Sequence, residues 1–206
     1  MKLFIYTIIA LLPFLGQKDP GKIILFYGDS LTAGYGLAPE QAFPAIIGRE
    51  LNSTGEQYKI INAGLSGETS AGGLNRLDWI LREPVDVFVL ELGANDGLRG
   101  LPLEQTEKNL QQIIDKVKTK YPQTTIVIAG MMVPPNLGEE YSEQFRSIFP
   151  KLARQNKALL VPFLLEGVAG DESLNLPDGI HPNTDGHEIV ANNVLKVIVP
   201  VLNTKN

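Results

Sequence analysis

Short apolar runs alternate with longer amphipathic segments along this chain. The apolar runs have the length of strands, are rich in Val and Ile, and lie at residues 22–27, 58–62, 85–92, 124–131 and 158–163. Their hydrophobicity is nearly continuous, which is typical of strands that are covered on both faces. The amphipathic segments predict helices over residues 40–53, 70–82, 104–120, 140–156 and 184–198.

The order of these segments predicts an α/β fold with a parallel sheet and helices on both faces. No internal repeat, low-complexity tract or linker divides the chain, so residues 21–206 are predicted to form one domain. Ligands of such sheets bind beyond the carboxyl ends of the strands. The loops that follow the strands are therefore the places where chemistry is expected.

The first 20 residues differ in composition from the rest. They begin with one Lys, followed by an uncharged apolar run of roughly 14 residues, whereas a membrane-spanning helix needs about 20. This length matches the hydrophobic segment of a signal peptide, although no clear small-residue cleavage site follows. Residues 1–20 are thus predicted to be a signal peptide, which would make the protein periplasmic or secreted. The alternative is an N-terminal membrane anchor.

Composition and charge exclude several classes of protein. Of the 206 residues, 44% are hydrophobic and 20% are charged, as in soluble globular proteins. The formal net charge is −5 and no cluster of Lys or Arg stands out, so no nucleic-acid partner is expected. The chain has no cysteine and only two histidines, which excludes thiolate chemistry and leaves few ligands for a metal.

The first strand is followed by GDSLTAG, which places Ser30 at the sheet edge where ligands bind. Asp29 or Ser30 could cap the next helix, because both residue types are common N-caps. The loop could also cradle a phosphate, as in a flavodoxin-like binding module. The third alternative is that Ser30 is a nucleophile. This loop alone does not decide among the three.

The loops after the second and third strands carry groups that could stabilise negative charge. Gly64 lies where the backbone turns, and a glycine there lets the main-chain N–H approach a ligand closely. Asn95 offers a neutral side-chain donor, whereas the carboxylate of Asp96 would repel a developing oxyanion. The alternative for Gly64 and Asn95 is that each is a simple turn residue.

A late segment, PDGIHPNTDGHE, holds both histidines. Asp178 and His181 are three residues apart with Gly179 between them, so a tight turn could bring the carboxylate to the imidazole. A carboxylate on one ring nitrogen fixes the tautomer and leaves the other nitrogen free as a base. His187 falls within the last predicted helix and is expected to be structural.

Together these loops supply a nucleophile, a base, a residue that orients the base, and oxyanion donors. This is the set of groups that acyl transfer needs, and the combination favours Ser30 as the nucleophile. Four segments also resemble the signature blocks of the SGNH (GDSL) hydrolases: GDSLTAGYG, NAGLSGET, ELGANDGLRG and DGIHP. The resemblance covers about residues 22–200 and is closest to the bacterial thioesterase, lysophospholipase and arylesterase branch.

The resemblance implies a three-layer α/β/α sandwich with a five-stranded parallel sheet, and an enzyme that needs no metal and no organic cofactor. It also implies a role for each candidate residue. Ser30 would be the nucleophile, His181 the base and Asp178 its partner. The oxyanion hole would consist of the N–H groups of Ser30 and Gly64 with the side chain of Asn95.

The predicted activity is that of a serine esterase acting on small-molecule carboxylic esters and thioesters, including aryl esters, acyl thioesters and lysophospholipids, through an acyl-enzyme. The apolar loop at residues 130–141 is predicted to form one wall of an acyl groove, with Pro134 and Leu137 binding substrate. A merely stiffened turn is the alternative for this loop. Carbohydrate deacetylation and a flavodoxin-like binding module remain as rival functions.

Overall fold

The computed structural model describes residues 21–202, and the predicted signal peptide or anchor at residues 1–20 lies outside them. Five parallel strands form one sheet in the order β2-β1-β3-β4-β5. The strands are β1 Lys22–Gly28, β2 Tyr58–Gly64, β3 Val87–Glu91, β4 Thr125–Ala129 and β5 Leu159–Val161. All five predicted strands are confirmed, with ends that differ by a few residues.

Seven α-helices lie within the described residues. They are α1 Ser30–Ala33, α2 Phe43–Ser53, α3 Ser70–Ile80, α4 Ala94–Leu98, α5 Leu103–Lys120, α6 Glu139–Asn156 and α7 Thr184–Leu202. The five long helices match the predicted ones. α2 begins later than predicted because Pro39–Gln41 form a separate 3₁₀ turn.

The helices cover both faces of the sheet, as the nearly continuous apolar strands require. α2 packs against α7, while α5 packs against α3 and α6, which gives the three-layer α/β/α sandwich. The side chains of the central strand β1 from Ile24 to Tyr27 are fully buried. The predicted fold class is therefore confirmed. No helix among residues 21–202 is long and apolar enough to cross a membrane.

The strand order determines where a ligand site can form. The chain runs from β1 outward to β2 and then crosses back to β3 on the other side of β1. In doubly wound sheets, the crevice at such a reversal, beyond the carboxyl ends of the strands, is the usual ligand site. Here it lies between the loops that follow β1 and β3, which carry Ser30 and Asn95.

Candidate active site

Ser30 is the first residue of α1, directly after the end of β1. The N-cap is Asp29, whose Oδ1 accepts a hydrogen bond from the Leu31 N–H at 3.0 Å. Because Asp29 supplies the cap, the Ser30 hydroxyl is available for another partner. Gly28 precedes the cap, and a Cβ at that position would collide with the side chains of Thr32 and Glu91.

The Ser30 hydroxyl meets the predicted base. Ser30 Oγ lies 3.0 Å from His181 Nε2, and His181 Nδ1 lies 2.8 Å from Asp178 Oδ2. Gly179 has a φ of +74°, which favours glycine and makes the tight turn between the acid and the base possible. The structure thus brings Ser30, His181 and Asp178 into one hydrogen-bonded chain.

Asp178 is held as a carboxylate by its neighbours. Desolvation opposes its ionisation, but hydrogen bonds from the N–H groups of Ile180 and His181 and from the His181 ring outweigh that effect. The pKa of the Asp178 carboxyl is consequently lower than its ordinary value. An ionised Asp178 accepts a hydrogen bond from the His181 Nδ1–H, which leaves Nε2 as the acceptor toward the Ser30 hydroxyl.

Tyr35 also contacts His181, and no pattern in the sequence singles it out. Its ring centroid lies 4.5 Å from that of His181 with an interplanar angle of 37°. Tyr35 is 50% exposed and lines the cavity above Ser30. The only sequence signal is its position in the GDSLTAGYG block. Its ring restricts the orientation of the imidazole and forms part of the cavity wall.

Asn95 lies at the start of α4 and lines the same cavity as Ser30. Its Nδ2 donates to Asp29 Oδ2 at 2.9 Å, and its Oδ1 accepts from Arg99 Nη2 at 3.5 Å. These contacts fix the orientation of the amide, with its nitrogen bonded to the residue that precedes Ser30. Asp96 is instead buried and accepts hydrogen bonds from Ser70, which agrees with the prediction that Asp96 is the less useful of the two.

The structure does not bring Gly64 to the cavity. The Gly64 N–H donates to Asn62 Oδ1 at 3.0 Å, and Gly64 is not one of the residues that line the cavity. A glycine is needed there for a different reason: a Cβ would collide with the backbone of Thr32 and Ala33 in α1. The prediction that Gly64 supplies an oxyanion donor is therefore corrected.

Gly67, three residues later, lies at the cavity, where Gly64 was predicted to lie. It lines the cavity, has a φ of +79°, and its carbonyl accepts from Arg99 Nη2 at 3.0 Å. No acceptor among residues 21–202 takes the Gly67 N–H. The Ser30 N–H has no intrahelical acceptor either, because Ser30 opens a helix.

His187 has the structural role that its position in α7 predicted. It is 1% exposed, its Nδ1 accepts from the Phe43 N–H at 3.1 Å, and its ring stacks on that of Phe43. Burial lowers the pKa of His187 to about 4, and the charge of His181 adds to the effect. Near neutral pH, His187 is an uncharged part of the interface between α7 and the N-terminal end of α2.

The cavity above Ser30 has a volume of about 740 Å³ and mostly apolar walls. Met131, Met132, Val133 and Pro134 form one wall, as predicted for the loop after β4. Leu137 lies outside the cavity, because the chain turns away through the 3₁₀ turn that ends at this residue. The predicted wall is therefore corrected: Pro134 belongs to it and Leu137 does not.

Two further observations bear on the site. A depression of about 780 Å³ lies between α2 and α7, but its lining contains none of the predicted site residues. Among residues 21–202, no three His, Cys, Asp or Glu side chains are grouped so that they could hold a metal ion.

Proteins of known activity resemble this chain over most of its length. Esterase TesA of Pseudomonas aeruginosa is 38% identical over 93% of this chain and 94% of its own. Thioesterase 1/protease 1/lysophospholipase L1 of Escherichia coli K12 is 38% identical over 87% of this chain and 85% of its own. The crystal structure of the psychrotrophic esterase EstA from Pseudoalteromonas sp., inhibited by monoethylphosphonate, superposes with a TM-score of 0.82. EstA is 33% identical to this chain, and the superposition covers 89% of this chain and 100% of the EstA chain.

The family model for GDSL-like lipases and acylhydrolases matches residues 26–189. With these relatives, the fold and the site define the class of protein: it is a hydrolase of ester bonds. The chain belongs to the GDSL-like lipase/acylhydrolase family, as the four signature segments predicted. The flavodoxin-like binding module is thereby set aside as a function.

Proposed function

We propose that Ser30, His181 and Asp178 form a catalytic triad that hydrolyses carboxylic esters and thioesters through an acyl-enzyme. The observation that carries the proposal is the continuous chain of hydrogen bonds, 3.0 Å from Ser30 Oγ to His181 Nε2 and 2.8 Å from His181 Nδ1 to Asp178 Oδ2. A nucleophile within reach of a base that is itself oriented by a third group is the geometry of covalent acyl transfer.

In the first half of the reaction, His181 Nε2 takes the proton of the Ser30 hydroxyl while Oγ attacks the acyl carbonyl carbon. The imidazolium that forms is stabilised by the adjacent Asp178 carboxylate. His181 then returns the proton to the departing alcohol or thiol, and the acyl group stays on Ser30. In the second half, His181 activates a water molecule in the same way, and the acid is released.

The oxyanion that develops in both halves needs preorganised donors. We assign this role to the backbone N–H groups of Ser30 and Gly67 and to Nδ2 of Asn95. All three residues line the same cavity, and the Arg99 guanidinium contacts both the Gly67 carbonyl and the Asn95 Oδ1. Donors that are fixed before the reaction need no reorganisation as the negative charge develops.

The proposed substrates are small-molecule acyl esters and thioesters, including aryl esters, acyl thioesters and lysophospholipids. The apolar wall from Met131 to Pro134 supports an acyl chain as the bound group. The name of the Escherichia coli relative joins a thioesterase and a lysophospholipase activity in one protein. Export through residues 1–20 also remains a proposal, with a membrane anchor as its alternative.

The test is an ester panel from acetyl to palmitoyl, with aryl and thiol leaving groups, on the wild type and on Ser30→Ala. A burst that releases the first equivalent of an activated aryl alcohol is the kinetic sign of an acyl-enzyme in the wild type. Ser30→Ala should lose about 10⁴-fold or more in kcat while remaining folded. A folded Ser30→Ala enzyme that keeps a tenth of wild-type kcat would remove Ser30 from the mechanism.

A further inference from the structure

Two buried carboxyl groups lie directly beneath the candidate nucleophile. Asp29 is 1% exposed and Glu91 is 0% exposed. Glu91 ends β3 opposite Gly28, where the absence of a side chain leaves room for the Glu91 carboxyl. The two residues are direct neighbours, because the Asp29 N–H donates to Glu91 Oε2 at 3.0 Å. Two ionised carboxylates this close in a buried space would repel each other, which favours a proton on one member of the pair.

The remaining contacts decide which member carries it. Asp29 uses both of its oxygens as acceptors, Oδ1 from the Leu31 N–H at 3.0 Å and Oδ2 from Asn95 Nδ2 at 2.9 Å. Glu91 Oε2 accepts from the Asp29 N–H at 3.0 Å and from Thr32 Oγ1 at 2.8 Å. Glu91 Oε1 is buried, and no donor among residues 21–202 reaches it. A buried acceptor without a donor is costly, whereas a hydroxyl at Oε1 can donate to Asp29.

We propose that Glu91 is a protonated carboxylic acid in the working enzyme, and that its Oε1–H donates to the Asp29 carboxylate so that the pair positions Ser30 and Asn95. Burial raises the pKa of Glu91 well above its ordinary value, and the charge of Asp29 raises it further. Burial also raises the pKa of Asp29, while hydrogen bonds from Leu31, Asn95 and Glu91 oppose that rise.

The charged groups around the pair do not offer an alternative partner. No Lys or Arg in the described part of the chain forms an ion pair with Asp29 or Glu91. Arg76 of α3 contacts the residue before Asp29, because its Nη2 donates to the Gly28 carbonyl. Its ion pair, however, is with Glu68. His181 acts on Asp29 only through its charge, from the far side of Ser30.

The proton matters because Asp29 connects the two halves of the site. Its carboxylate caps α1, which carries Ser30, and holds the Asn95 amide from α4. Loss of the Glu91 proton would place two negative charges side by side in a buried space, which would disturb Asp29 and therefore both elements. This catalytic consequence rests on the proposed function, whereas the protonation of Glu91 does not.

Infrared spectroscopy tests the protonation independently of activity. At about pH 8, where ordinary carboxyl groups are ionised, the wild type should show the C=O stretching band of a buried carboxylic acid. Glu91→Gln should lack this band, and the control Glu143→Gln, which changes an exposed carboxylate, should keep it. Absence of the band in the wild type, or its persistence in Glu91→Gln, would overturn the proposal. Absence of the band in the wild type would overturn the proposal even if the variant fails to fold.

Kinetics test the positioning role. Gln mimics the protonated acid, because its carbonyl oxygen can accept from Asp29 and Thr32 while its NH₂ donates to the Asp29 carboxylate. Glu91→Ala should lower kcat by about 10²-fold with little change in KM, and Glu91→Gln should restore most of the loss. Equal kcat in the wild type and a folded Glu91→Ala would overturn the positioning role. Failure of Ser30→Ala to lose activity would instead count against the proposed function alone.

The dependence of stability on pH gives a third readout. The pKa of Glu91 is raised in the fold, so its contribution to stability is full below the ordinary value of 4.5 and is lost as pH rises toward the folded value. Over that window, one proton changes the folding constant by about tenfold per pH unit. Glu91→Gln should show a correspondingly weaker loss of stability with rising pH. Identical pH dependence in the wild type and the variant would contradict a protonated Glu91.

Discussion

The two histidines of this chain have opposite environments. His181 contacts Ser30 through Nε2 and Asp178 through Nδ1 at the mouth of the cavity. His187 is buried in α7 and accepts a hydrogen bond from the backbone of Phe43. Only His181 has both a carboxylate on one nitrogen and a free nitrogen next to a hydroxyl, so only His181 can serve as a general base for Ser30.

The two residues are therefore matched probes of the mechanism. His181→Ala should lower kcat for ester hydrolysis by about 10⁴-fold, because the proton of Ser30 then has no acceptor. His187→Ala should retain most of the activity in whatever fraction of the protein is folded. Steady-state kinetics on folded material, checked by circular dichroism, compare the two. The reverse pattern would mean that His187 is the base.

At the scale of elements, the segment after β4 forms the wall of the cavity that is proposed to contact the acyl chain. Met131 and Val133 are buried and connect the wall to the core, while Met132 is 37% exposed and lines the cavity. Leu137 is 39% exposed, almost the same fraction, but lies outside the cavity. Met132 and Leu137 thus form a natural pair of test and control positions in one loop.

Met132→Gln should lower kcat/KM for octanoyl esters more than for acetyl esters, whereas Leu137→Gln should leave that ratio unchanged. Each methylene removed from an apolar contact is worth about 0.8 kcal/mol, or about fourfold in kcat/KM. Measuring both esters on both variants gives the ratio directly. Equal losses for short and long chains in Met132→Gln would show that the wall does not recognise acyl length.

The elements that the sequence predicted well are those with a strong period. The five strands and five long helices follow from their apolar patterns, and the carboxyl ends of the strands then locate Ser30 and Asn95. The short helices α1 and α4 were not predicted, since four or five residues are too few for a helical period to be visible. The chemistry at their first turns was nevertheless predicted from residue type and order.

Other features depend on geometry that no sequence pattern carries. Gly64 and Gly67 are glycines of the same segment, so the sequence does not distinguish them. The local fold of that segment decides which of the two lines the cavity. Leu137 leaves the wall because of a single 3₁₀ turn. Glu91 lies within the apolar run at residues 85–92, and no sequence pattern indicates that its carboxyl is buried beside Asp29.

For the whole molecule, the pH dependence of stability should reflect the buried histidine. The pKa of His187 is about 4 in the fold against 6.5 ordinarily, so the neutral ring contributes stability above pH 6.5 that is lost as pH falls toward 4. Over this window the unfolded chain binds more protons at this site, and the slope approaches one proton, about 1.4 kcal/mol per pH unit.

His187→Asn tests this expectation, because the Asn oxygen can accept from the Phe43 N–H without taking up a proton. The variant should be less stable near neutral pH, since it loses the ring stacking on Phe43. Its stability should also depend less on pH between 4 and 6.5 than that of the wild type. Denaturant unfolding at several pH values measures both effects. Parallel curves for the two proteins would contradict a neutral, buried His187.

The sheet places Ser30, His181 and Asn95 around one cavity, where Ser30 is proposed to become covalently acylated. A reactive phosphonate ester, which phosphonylates activated serines, tests this claim most directly when it is followed by peptide mass mapping. One adduct per chain is expected, on the peptide that contains Ser30, and no adduct is expected in Ser30→Ala. A related esterase structure is described as inhibited by monoethylphosphonate. An adduct on another residue, or equal labelling of Ser30→Ala, would contradict the account.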